Sequence, residues 1–122
     1  MSILNEIYVV RRRVARNPNA PTETLSLLAT DKDFYVRCYV AQNPIAPTET
    51  LASLATDEAS YVRSWVAQNP NTPQDALASL ATDEDSYVRY QVARNPNTPE
   101  DILIMIKSKE YQLNKPLLQL AH

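Results

Sequence analysis

The chain has 122 residues and 44% hydrophobic content, which suits one domain with a buried core. Twelve Lys and Arg against fourteen Asp and Glu leave a formal charge of -2, so bulk electrostatics give no reason to expect a nucleic acid or an anionic membrane, and any basic site has to be local. The single cysteine, Cys38, excludes an internal disulfide and a multi-cysteine metal site, and even the richest apolar run, Ile102 to Ile106, is too short to span a membrane.

No signal-like apolar run follows the N-terminus, which makes the cytoplasm the expected compartment. Glycine is absent while proline occurs nine times, so the turns have to be made without left-handed glycine caps. Residues 1–13 read as a lone second helix that opens a stack, because Val10 and Arg11 stand 26 residues before Val36 and Arg37. The string Val-Ala-x-Asn-Pro then starts at Val14, Val40, Val66 and Val92, always 26 residues apart. Residues 40–65 and 66–91 align without a gap and are identical at 18 of 26 positions, which sets three units at 14–39, 40–65 and 66–91. Residues 92–122 form a divergent unit and C-terminal cap, in which Leu113, Leu117, Leu118 and Leu120 predict a closing helix. Together these make one helical-repeat domain over 1–122.

Each unit reads as two short helices around a bend. The first is expected to open at Pro21, Pro47, Pro73 or Pro99, since a proline suits the first helical position, where no N–H is required. Thr72 and Thr98 read as its N-caps, with Asp75 and Asp101 completing a near capping box. Leu25, Leu28 and Ala29 lie at i, i+3 and i+4, a spacing repeated by Leu51, Leu54, Ala55 and by Leu77, Leu80, Ala81; each triplet is one apolar stripe for the core. Asp31, Asp57 and Asp83 mark the bend and a new cap, after which Val36 and Val40, Val62 and Val66, Val88 and Val92 recur at i, i+4. This second helix is expected to be the shorter one, partly 3₁₀, and to stop at Asn-Pro. Neither helix is long enough to stand alone, so stability has to come from stacking between neighbouring units.

The copy Val66-Ala67-Gln68-Asn69-Pro70-Asn71-Thr72-Pro73, followed by Leu77, Leu80, Ala81, Asp83, Val88 and Arg89, resembles the leucine-rich repeat variant family, and the resemblance covers nearly the whole chain. It implies an all-α, right-handed α-α superhelix of alternating α and 3₁₀ helices, with no β-sheet and no single activity. The 26-residue period is slightly longer than the usual unit of that family. Some relatives are associated with iron–sulfur chemistry, but a cluster needs several thiolates and only Cys38 is present, so no cofactor is expected.

Arg11, Arg37, Arg63 and Arg89 form a column that would make a guanidinium ladder for an anionic chain. The structural alternative pairs each of them with Asp31, Asp57, Asp83 or helix-end carbonyls of a neighbouring unit. Arg12 and Arg13, with Arg16, thicken the N-terminal end into a basic cluster suited to phosphate or an acidic peptide. The bend acids Asp33, Glu58, Glu84 and Asp85 are expected to cap helices, not to hold a metal. Two columns change between copies: Arg12, Cys38, Ser64, Tyr90, and Arg13, Tyr39, Trp65, Gln91. Their exposure is expected, and Tyr39, Trp65 and Tyr90 then become interaction anchors. The constant column Tyr35, Tyr61, Tyr87 is expected to be buried between units. Asn17, Asn43, Asn69 and Asn95 are expected to satisfy backbone groups at the turns. Catalysis is not expected: the one histidine is His122 at the chain end, and no glycine loop can cradle a phosphate. The function read from the sequence is a protein- or peptide-binding scaffold. The alternatives are nucleic-acid binding by the arginine ladder and a purely structural spacer or oligomerisation module.

Overall fold

A computed structural model describes residues 3–109, all of whose regular elements are helical. A 3₁₀ turn, Ile3–Asn5, is followed by α1 (Tyr8–Arg16), α2 (Thr22–Leu28), α3 (Phe34–Gln42), α4 (Thr48–Leu54), α5 (Ser60–Gln68), α6 (Gln74–Leu80) and α7 (Ser86–Arg94). Residues 100–109 continue as a further helix. The closing helix predicted around Leu113 to Leu120 lies outside the described residues.

The nine-residue helices α1, α3, α5 and α7 pack each on the next as one layer, and the seven-residue helices α2, α4 and α6 lie against them as the second. Here the sequence reading is corrected, because the second helix of each unit is the longer one and is α-helical throughout. The Asn-Pro stop was placed correctly: Asn17, Asn43, Asn69 and Asn95 end the long helices in extended backbone, as a residue before proline prefers. No residue among those described has positive φ, so every bend is made in ordinary backbone space.

The core is the predicted set of stripes. Val36, Val40, Val62, Val66, Val88 and Val92 from the long helices meet Leu25, Leu28, Leu51, Leu54, Leu77 and Leu80 from the short ones, all fully or nearly fully buried. Each such side chain contributes about 1.5–3 kcal/mol on leaving water, and together they form one continuous cluster through the units. Ala15, Ala41 and Ala67, also fully buried, allow close approach where consecutive long helices meet.

The helix starts differ from expectation by one or two residues. Pro21, Pro47 and Pro73 occupy the cap position with extended ψ, so the short helices begin one residue later than predicted. Thr72 and Thr98 do not cap those helices. Their Oγ1 hydroxyls reach back to Val66 O and Val92 O, 2.6 Å each, and close the end of the preceding long helix. No side chain caps α6, so the capping box with Asp75 is not formed. At the bend, the cap is Asp33, Ala59 or Asp85, two residues after the aspartate the sequence reading chose. Asp33 accepts from the Tyr35 N–H and Asp85 from those of Tyr87 and Val88, while Ala59 offers nothing.

Candidate binding face

Two ladders of polar side chains fasten the units. Arg11 Nε donates to Asp31 Oδ2 at 2.7 Å, Arg37 Nε to Asp57 Oδ2 at 2.8 Å, and Arg63 Nε to Asp83 Oδ2 at 2.7 Å, each crossing to the next unit. The other branch turns back: Arg37 Nη1 donates to Asp31 O, Arg63 Nη1 to Asp57 O and Arg89 Nη1 to Asp83 O, at 2.7–2.8 Å. Each aspartate also accepts the N–H two residues on, at Asp33, Ala59 or Asp85. The asparagines form the second ladder, with Asn43, Asn69 and Asn95 donating through Nδ2 to Ala15 O, Ala41 O and Ala67 O at 2.8 Å, and to the asparagine carbonyl of the unit before. Every buried side-chain polar atom among the described residues has a partner.

The arginine column is thus turned inward. Arg37 and Arg63 have side chains 11% exposed, and their hydrogen bonds to Asp57 and Asp83 raise both guanidinium pKa values further. Arg89 is buried as well. These groups fix the register between units and do not line an open groove.

What the long helices show to solvent is aromatic. Tyr35, Tyr61 and Tyr87 are 54%, 65% and 51% exposed, which corrects the expected burial of that column. Sameness between copies was read as a packing demand. On a helix whose buried arc is set by the valines and alanines, however, that position points away from the core. The changing columns divide. Cys38, Ser64 and Gln91 are buried, Tyr39 and Trp65 are half-buried, and Tyr90 and Arg13 are exposed. Burial raises the Cys38 thiol to about 11, with Asp57 adding to the rise and Arg37 opposing it, so the side chain remains a protonated thiol.

Clefts run between neighbouring long helices. One of 340 Å³ lies over α3 and α5 and is lined by Phe34, Tyr35, Cys38, Tyr39, Gln42, Tyr61 and Trp65. Within it Phe34 stacks on Tyr35 at 4.2 Å and faces Tyr61 of the next unit at 6.5 Å. A second, of 630 Å³, lies between α7 and the helical residues 100–109, among Tyr87, Tyr90, Ala93, Ile106 and Lys107. At the other end α1 carries a 420 Å³ cleft walled by Val9, Arg12, Arg13, Arg16 and Asn17. Three guanidiniums stand over rings, Arg12 on Tyr8, Arg16 on Tyr39 and Arg94 on Tyr90, at 5.3–5.6 Å. Of the residues singled out from the sequence, Tyr39 and Trp65 share their cleft with Phe34, Tyr35 and Tyr61, Tyr90 lies in the second cleft and Arg12 and Arg13 in the third; that Phe34, Tyr35 and Tyr61 line a cleft was missed. The serines that replace Phe34 in later copies hid it.

Among the described residues, no group of three or more His, Cys, Asp or Glu could hold a metal, and no helix is long and apolar enough to cross a membrane. Residues 8–33 and 62–85 match the family model described as leucine rich repeat variant. No curated protein and no solved structure matches the chain.

Proposed function

We propose, from the match of residues 8–33 and 62–85 to the leucine rich repeat variant model, that the chain is a non-catalytic scaffold that binds a protein or peptide segment across its long-helix face. Tyr39, Trp65 and Tyr90 serve as anchors, and Arg12 and Arg13 orient the segment. Arg37, Arg63 and Arg89 support the face from beneath by holding neighbouring helices in register. One observation carries the reading: aromatic rings line successive clefts on the solvent side of the long helices, although aliphatic stripes alone fill the core. Exposed Tyr and half-exposed Trp cost solubility and add little to folding, whereas across an interface they bury large areas with little lost rotamer freedom.

A polyanion laid along the arginine column is less well supported, because Arg11, Arg37 and Arg63 are each paired with an aspartate and Arg89 is buried against backbone carbonyls. A mere spacer would not need rings in its clefts.

Selection of a displayed random-peptide library on the full chain tests the reading. Enriched peptides are expected to shift the fluorescence of Trp65, the only tryptophan. They should also lose binding to a Tyr39→Ala, Trp65→Ala variant whose circular-dichroism melt stays near that of the parent. Enrichment of no peptide, or unchanged binding by the variant, removes the proposal.

A further inference from the structure

We infer that the face takes an extended phosphopeptide, with the phosphate held in the arginine cleft on α1 and an apolar side chain in the aromatic cleft of the next units. This rests on the peptide-binding reading above and adds the chemical class of the ligand.

The first ground is continuity. Arg16 walls the α1 cleft and its guanidinium lies over the ring of Tyr39, which walls the cleft between α3 and α5, so the two sites share a border. The second is charge. Among the described residues, Arg12, Arg13 and Arg16 have no acidic side chain within ion-pair distance, unlike the buried column beside them. The acids collect elsewhere, with Asp33, Glu58, Glu84 and Asp85 along the bends that precede α3, α5 and α7. A polyanion spanning all the units would run past that acidic edge. A ligand with one localised anion meets only the arginines.

The third ground is the number of cations. One carboxylate is satisfied by one bidentate guanidinium and would leave two of the three charges unmatched. A phosphomonoester carries about -1.5 to -2 at neutral pH and three acceptor oxygens, which fits three guanidiniums, two of them already steadied over rings. Spacing completes the argument. Arg13, Tyr39 and Trp65 are equivalent positions on α1, α3 and α5. Packed helices lie about 8–10 Å apart and extended chain advances about 3.3 Å per residue, so each step along the face spans about three residues.

The test uses the full chain and peptide libraries with phosphoserine fixed at the centre and degenerate flanks, beside matched serine and glutamate libraries. Phosphoserine peptides are expected to bind at least about tenfold tighter than serine peptides, a gain of about 1.4 kcal/mol. Leu, Phe or similar residues should be enriched about three positions from the phosphate. Arg13→Ala, which removes a guanidinium that stands over no ring, and the triple Arg12→Ala, Arg13→Ala, Arg16→Ala variant should lose the phosphate preference, binding phosphoserine and serine peptides alike. Tyr39→Ala, Trp65→Ala should instead weaken phosphoserine and serine peptides alike and abolish the apolar enrichment. Equal binding of phosphoserine and serine peptides overturns the inference and leaves the peptide face standing. Equal binding of the glutamate library makes the site a general carboxylate reader and also overturns it. A single-stranded RNA oligomer that displaces the phosphopeptide more strongly than free phosphoserine does overturns it in favour of a polyanion. Absence of binding by all three libraries overturns both readings.

Discussion

Asn69 directs both hydrogens of its side-chain amide at the unit before it, while its own Oδ1 accepts the Asn71 N–H. Asn69→Ala strands the Ala41 and Asn43 carbonyls, and a loss of about 3 kcal/mol in urea denaturation is expected at about 1–3 kcal/mol per stranded buried group. Asn69→Asp should be at least as damaging, because an acceptor would then face two carbonyl oxygens. Arg63 is the other kind of fastener. Arg63→Ala leaves the Asp83 carboxylate buried without its countercharge and is expected to cost about 3 kcal/mol, while Arg63→Lys recovers little, since an ammonium cannot reach Asp83 and Asp57 O in fork geometry. For Cys38, burial pushes the folded thiol up to about 11, above the ordinary thiol range. A raised acid pKa means that its contribution to stability is complete below the unfolded value and is lost as the pH rises through the folded one. At pH 8 the native thiol should therefore resist maleimide and react only after denaturant is added. Both polar columns were legible from the 26-residue offset. Their partners were legible too, as the bend aspartates and carbonyls for the arginines and turn backbone for the asparagines. Their direction was not, because an offset says that a residue repeats and is silent on whether it reaches forward, as Arg63 does, or back, as Asn69 does.

At the scale of the element, stripes and stops could be read while starts could not. Leu at i, i+3 and Val at i, i+4 named the buried faces because burial leaves its period in the sequence. Asn-Pro named the ends because proline constrains the backbone locally. The starts depended on which of two aspartates, Asp83 or Asp85, takes the cap, and that was decided by an arginine a unit away that claims the first. The length of the second helix was underestimated for a related reason. Asp85 caps at the N-terminus and Thr98 closes the last turn, so the helix uses all nine positions between bend and proline. One cap is missing. Ala59 has backbone angles of -88° and 122°, within a degree of those of Asp85, and the same Asp-Glu pair before it. Ala59→Asp is therefore expected to raise the stability of the chain by about 1 kcal/mol, read as a higher urea midpoint at unchanged m.

Across the whole molecule, each unit is fastened to its neighbours by one arginine, one asparagine and a share of the aliphatic core. Removing residues 40–65 would bring Asp83 into the place of Asp57 opposite Arg37, and Asn69 into that of Asn43 opposite Ala15. That deletion is expected to fold with a single cooperative melt at a lower temperature, whereas deletion of half a unit, residues 40–52, should leave no cooperative transition by circular dichroism. The fold was readable at this scale because repetition multiplies each weak local signal. The face was less so, since the aromatic clefts are made between helices and belong to no single copy. The lack of any left-handed backbone, noted for the bends, has a final consequence. No described position depends on the one amino acid that tolerates such angles, so the frame makes few demands on the identity of outward-facing letters. Arg13, Tyr39 and Trp65 already spell three different letters in one slot of it. A different message could be set in the same type by exchanging those letters alone.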